Sequence, residues 1–190
     1  MFEELASGMA LTHNIIIRSL NAIYQQAPHV AEADVASFLG FCLTWVDIII
    51  AHHDGEEETC FPAIERLSGQ KGLMDTNVEQ HIAFQENLIL FKAYLEACRD
   101  GKEKWDGKKA QNMVDAFGEP LIKHLHDEVP TLVSLKQYGE DKMRDLPKIF
   151  EAEAQQNMVS SSKHLQTPPG RVPSHLYPAS VLAAKHNFFL

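Results

Sequence analysis

The stretch NVEQHIAFQENLILFKAYLEAC, residues 77–98, sets Asn77, His81, Phe84, Leu88, Phe91, Leu95 and Cys98 at alternating four- and three-residue steps. Three heptads of that spacing form the seam of a helix bundle; a strand would repeat every two residues. Three further helical lines lie outward from it. From Glu3 to Gln26 the residues Leu5, Met9, His13, Ile16, Leu20 and Ile23 recur at helical period. A second helix, predicted from an Asp34 N-cap to Leu67, carries two adjacent apolar lines. One is Phe38, Cys42, Trp45, Ile49, His52, Glu56; the other is Leu39, Leu43, Val46, Ile50, His53, Glu57. Periodicity does not choose between them. A fourth helix over Asp106–Gln137 aligns Met113, Phe117, Leu121, His124, Glu128, Leu132 and Leu135. The expectation is an all-α four-helix bundle over residues 1–138, with kinks at Gly55, Pro62, Pro120 and Pro130. Residues 139–190 read as an extension. Met143, Leu146, Ile149 and Phe150 predict a short helix within 140–157. Ser160-Ser161-Ser162, Pro168-Pro169-Gly170, Pro173 and Pro178 then predict an irregular tail, whose apolar residues, Leu176 to Leu190, are expected to lie against the bundle.

Of the 190 residues 45% are apolar and 23% charged, proportions that suit one folded core rather than a disordered chain. A net charge of −9 repels phosphate backbones and anionic lipid, which argues against nucleic acid and membrane surfaces as partners. Cys42, Cys60 and Cys98 show no CxxC spacing and predict a reducing, cytoplasmic setting without a disulfide framework. Glu3 and Glu4 stand where a leader peptide would carry bases. The apolar run Ala36–Ala51 is interrupted by Asp47 and falls short of the roughly 20 residues a span needs, so it reads as a buried bundle helix.

Every one of the four lines contains a histidine: His13, His52 or His53, His81 and His124. A lone imidazole on an apolar face is ordinarily a satisfied core residue. Four of them without a common partner would cost roughly 1–3 kcal/mol each in unpaired donors or acceptors. A shared cation removes that cost. Two histidines are followed four residues later by a carboxylate, His52 by Glu56 (or His53 by Glu57) and His124 by Glu128. Residues i and i+4 differ by about 6 Å of rise and 40° of rotation, so both reach one point in the core. Imidazole and carboxylate donors without thiolate favour iron or manganese over structural zinc, and six ligands suit two bridged metals. The Glu-x-x-His pair of ferritin-like bundles and the His-Glu-x-x-His signature of zinc proteases are both absent. Glu58 and Asp127 read as solvated, and His126 as outside the site.

The elements Leu11-Thr12-His13-Asn14, His52-His53-Asp54-Gly55-Glu56-Glu57-Glu58-Thr59-Cys60-Phe61-Pro62, Glu79-Gln80-His81 and His124-Leu125-His126-Asp127-Glu128, in that order, resemble the hemerythrin-like (HHE cation-binding) domain over about residues 1–137. The resemblance implies an up-down-up-down bundle around an oxo- or hydroxo-bridged pair of iron ions that reacts with dioxygen. It implies the phase of the second helix as well: the family's His-x-x-x-Glu-Glu block ends in Phe-Pro, which counts back from Pro62 to Glu56 and His52. Metal ligands would be His13 and His52 on one iron, His81 and His124 on the other, with Glu56 and Glu128 bridging. On that assignment Glu57→Ala and Glu58→Ala should do little. Oxygen-carrying hemerythrins have a histidine one turn before the one matching His81; here it is Asn77, which argues against reversible carriage.

The expected function is therefore a non-haem di-iron protein that binds, senses or activates dioxygen, peroxide or nitric oxide, with a small organic substrate if it is an oxidoreductase. Two other classes stand beside it: a helical interaction module whose metal is structural, and a protein of iron handling or storage. Metal content separates them.

Overall fold

The computed structural model describes residues 1–164, with side chains through 157. Among the described residues the chain is all-helical, without strands. Its α-helices are α1 Phe2–Gln26, α2 Val35–Gly55, α3 Phe61–Ser68, α4 Asp75–Arg99, α5 Gly107–Asp115, α6 Gly118–Ser134, α7 Glu140–Met143 and α8 Leu146–His164. Helix α1 packs on α6, α6 on α4, α4 on α2 and α2 on α1, while α8 lies across α2 and α3.

Helices α2 and α3 form one rod, interrupted by a widened π turn over Glu56–Cys60 in which the amide of Phe61 donates to the carbonyl of Glu56, five residues back. Pro62 has no N–H to return to Glu58, so an ordinary α turn here would lose a bond and crowd the ring against that carbonyl. The wide turn accommodates it. Asp34 occupies the cap position of α2 but makes no capping hydrogen bond. Asp106 does cap α5, accepting from the amides of Lys108 and Lys109 at 2.9 Å each.

The predicted fourth helix is two helices, broken at Ala116–Phe117. Pro120 cannot donate to the carbonyl of Ala116, and the Asn87 side-chain amide donates to it instead at 3.4 Å. The extension also differs from expectation: α8 runs through Ser160-Ser161-Ser162 to His164. The proline-rich segment and the apolar residues Leu176 to Leu190 lie outside the described residues.

Buried residues form two apolar clusters. One gathers Ile16, Leu20, Phe38, Trp45, Ile49, Phe84, Phe91, Phe117 and Leu121 with their neighbours. The other gathers Phe2, Met9, Cys60, Phe61, Ile64, Met74, Leu132 and Leu146. Along α1, α4 and α6 the histidines fall where one cluster gives way to the other: His13 between Met9 and Ile16, His81 between Met74 and Phe84, and His124 and Glu128 between Leu121 and Leu132. The helical run Glu32–Ser68 is, against the expected shortfall, long and apolar enough to cross a membrane by length and composition. Its apolar residues Phe38, Leu39, Cys42, Trp45 and Val46 are buried in the first cluster.

Candidate metal centre

The structure brings His13, His52, Glu56, His81, His124 and Glu128 into one polar layer, with His53 added to them. Two groups form there, and in each the ligand-type atoms lie within 4.8 Å of one another: His13, His52, Glu56 and Glu128, and His53, Glu56, His81 and His124. Glu56 is common to both. Its Oε1 stands 3.2 Å from His52 Nε2 and its Oε2 3.6 Å from His81 Nε2. Oε2 of Glu128 stands 3.3 Å from His13 Nε2 and 3.9 Å from His124 Nε2. Each carboxylate therefore faces one imidazole of either group.

Outer hydrogen bonds determine which ring nitrogens are bare. Nδ1 of His13 donates to the carbonyl of Leu125 at 2.7 Å. Nδ1 of His81 donates to Glu57 Oε1 at 2.6 Å, and Nδ1 of His124 to Gln80 Oε1 at 3.3 Å. Gln80 is oriented in turn by donating through Nε2 to Asp127 at 2.8 Å, and Asp127 is paired with Lys123. Three imidazoles are thus held with Nδ1 bonded outward and Nε2 directed inward, an arrangement typical of metal-ligating histidines. Nε2 of His81 faces Nε2 of His124 at 3.0 Å, so two lone pairs meet head on. Without a cation that contact is repulsive. Both oxygens of Glu56 and of Glu128, and both ring nitrogens of His53, are buried without a hydrogen-bond partner.

Electrostatics agree. Burial, reinforced by the imidazoles of His13 and His81, pushes His52 down to about 3. Burial and the His81 ring push His124 down to about 2. His53 and His81 are lowered too, mainly by burial, which the Glu57 carboxylate opposes at His81. Burial beside Glu128 raises Glu56 well above the usual carboxylate range. Orphaned acceptors, facing lone pairs and neutral imidazoles together fit a pair of cations, and the nitrogen and hard oxygen donors suit iron.

The two lines of α2 are not alternatives. His52 and His53 both reach the layer, the His53 ring lying 4.4 Å from His81 and 5.0 Å from His124. A buried face wide enough for Phe38 and Leu39, Cys42 and Leu43, and Trp45 and Val46 puts both lines inward. Glu57, expected to be dispensable, holds His81, and Asp127, expected to be solvated, holds Gln80. No spacing rule within one helix could find either, because both partners lie on other helices. Asn77 is buried with its Nδ2 unpaired. Glu58 and His126 are exposed, as expected.

The model of the hemerythrin HHE cation-binding domain matches residues 6–133, a span that contains all these groups. The chain is also 35% identical over 143 residues to the dimeric xanthone biosynthesis cluster protein R11 of Cryptosporiopsis sp. (strain 8999). That similarity covers 75% of this chain and 54% of R11, so the chain spans about half the length of its curated relative. No solved structure matches it.

Proposed function

This chain belongs to the hemerythrin HHE cation-binding domain family, and from that premise we propose that it is a non-haem di-iron protein acting on dioxygen, or on peroxide or nitric oxide. One observation carries the reading: two buried carboxylates, each unpaired and each facing imidazoles of both histidine groups. His13 and His52 would hold one iron, His81 and His124 with His53 the other, and Glu56 and Glu128 would be shared between the two groups. We read α1, α2–α3, α4 and α5–α6 as the family's up-down-up-down four-helix bundle. When bound, a reduced iron pair supplies two electrons to dioxygen at one place.

The chain's own residues prepare that chemistry. The outer bonds from Leu125, Glu57 and Gln80 fix three tautomers before metal arrives. Apolar clusters flank the layer on either side. Asn77 places an amide where a carrier would have an imidazole, which supports oxygen activation or sensing over reversible carriage. R11 is named for a cluster that makes a dimeric xanthone, and that name supports oxidation of a small organic molecule over iron storage. Three free cysteines support a reducing, cytoplasmic setting.

The test is iron per chain together with the visible spectrum in air. About two irons and near-ultraviolet iron–ligand bands are expected. One zinc and no iron, after growth in iron-replete medium, would overturn the reading in favour of a structural metal.

A further inference from the structure

A cavity of about 760 Å3 lies between α1, α2 and α8 and reaches His52. Its walls are mainly apolar, with Leu5, Met9 and Ile15 from α1, Ile48 from α2 and Phe150 from α8. The volume is that of a small-organic-ligand site, roughly 300–1,000 Å3. His52 is also the most open of the inward imidazoles, its side chain 11% exposed against 3% for His13, 2% for His81 and none for His124. On the other flank, the gap beside His53 and His81 measures only about 60 Å3, room for water or a diatomic.

The charged lining is mainly acidic. Glu4, Glu151 and Glu153 face the cavity, no lysine or arginine does among the described residues, and the Met1 ammonium beside them is already paired with Glu4 at 3.3 Å. The Asn157 side-chain amide donates to the carbonyl of Ala51 at 2.9 Å and to Glu153, tying α8 to α2 near His52. Gly55 leaves room for the Glu153 carboxylate, which a Cβ there would overlap. Helix α8 lies outside the residues that the family model matches.

We propose that this cavity binds a neutral, mainly apolar organic molecule carrying a hydroxyl donor, held beside His52 with its donor directed at Glu153. Apolar walls reward burial of such a molecule. A carboxylate-bearing ligand would instead meet three acids, with the one ammonium already paired to Glu4. The role of the bound molecule as substrate rests on the di-iron reading; its binding does not.

Calorimetric titration of the full chain, iron-loaded and chelator-stripped, with 2-naphthol and 2-naphthoate tests the proposal. The naphthol is expected to bind both forms at least tenfold more tightly than the naphthoate. Gly8 lines the cavity with nothing within 4 Å of where its Cβ would stand, so Gly8→Phe fills the space from α1 and should weaken naphthol binding at least tenfold at unchanged metal content. Ala154→Phe does the same from α8. Glu153→Gln should narrow the preference for the naphthol. Equal binding of both probes, or full affinity in both phenylalanine variants, overturns the proposal. Naphthol binding by a protein that takes up no iron would sink the di-iron reading and leave the cavity standing; two irons without naphthol binding would do the reverse.

Discussion

Glu57 lies half in solvent, yet its carboxylate accepts the Nδ1 proton of His81 at 2.6 Å and leaves Nε2 free to face Glu56. Removing such an outer partner typically costs ten- to a hundredfold in metal affinity. We expect that loss for Glu57→Ala in a competitive chelator titration, and none for the exposed Glu58→Ala. His53→Leu, similar in volume, should fold and lose part of its bound iron, because His53 belongs to the group of His81 and His124. The i, i+4 spacing made the pairs of α2 and α6 legible in the sequence. It could not show that both lines of α2 are inward, nor that Glu57 and Gln80 act across helices. Acid should weaken the metal-free protein. His52 and His124 have depressed pKa values in the fold, so below about 6.5 the unfolded chain binds protons that the folded chain refuses. Stability then falls as pH falls. Glu56, with a raised pKa, works in the opposite sense above about 4.5. Asp54 and Glu153 are raised as well, but their unfolded values lie below the window and four imidazoles are lowered across it, which leaves a net loss, read as a lower melting temperature of chelated protein at pH 5.5 than at pH 7.5.

At the scale of elements, the seam of α4 was legible because its stripe is narrow and unbroken. The interruptions expected at Pro120 and around Gly55 and Pro62 are present, but their form was not legible: Pro120 acts four residues upstream on the carbonyl of Ala116 and divides the helix into α5 and α6, and both α2 lines keep regular spacing up to the π turn. Nor was the reach of α8 legible, whose serines read as a tail. Helix α5 is seated by one small residue: a Cβ on Gly107 would overlap the carbonyl oxygen of Ala27 and come within 2.7 Å of Pro28 Cα. Backbone atoms cannot swing aside as a side chain can. Gly107→Ala should therefore cost about 1–3 kcal/mol, the usual range for overpacking, despite the better helix propensity of alanine. Urea denaturation measures it, and an unchanged midpoint would contradict the close approach.

Across the whole molecule the polar layer divides the apolar interior into two clusters. Metal that binds only the folded state adds RT ln(1 + [L]/Kd), about 2.7 kcal/mol at a hundredfold excess over Kd. Chelation should accordingly lower the melting temperature, and an unchanged melt would mean that the layer holds no ion. The division bears on cooperativity as well. With the layer bridged by ions the two ends are cross-linked, and heat should unfold them as one unit, with calorimetric and van't Hoff enthalpies equal. Stripped of ions, the layer keeps the outer bonds of His13, His81 and His124 but sets repelling lone pairs and unpaired carboxylates between the two ends. The ends then become separate foldons, and amide exchange should show the N-terminal turns of α1 opening at a lower free energy than its second half.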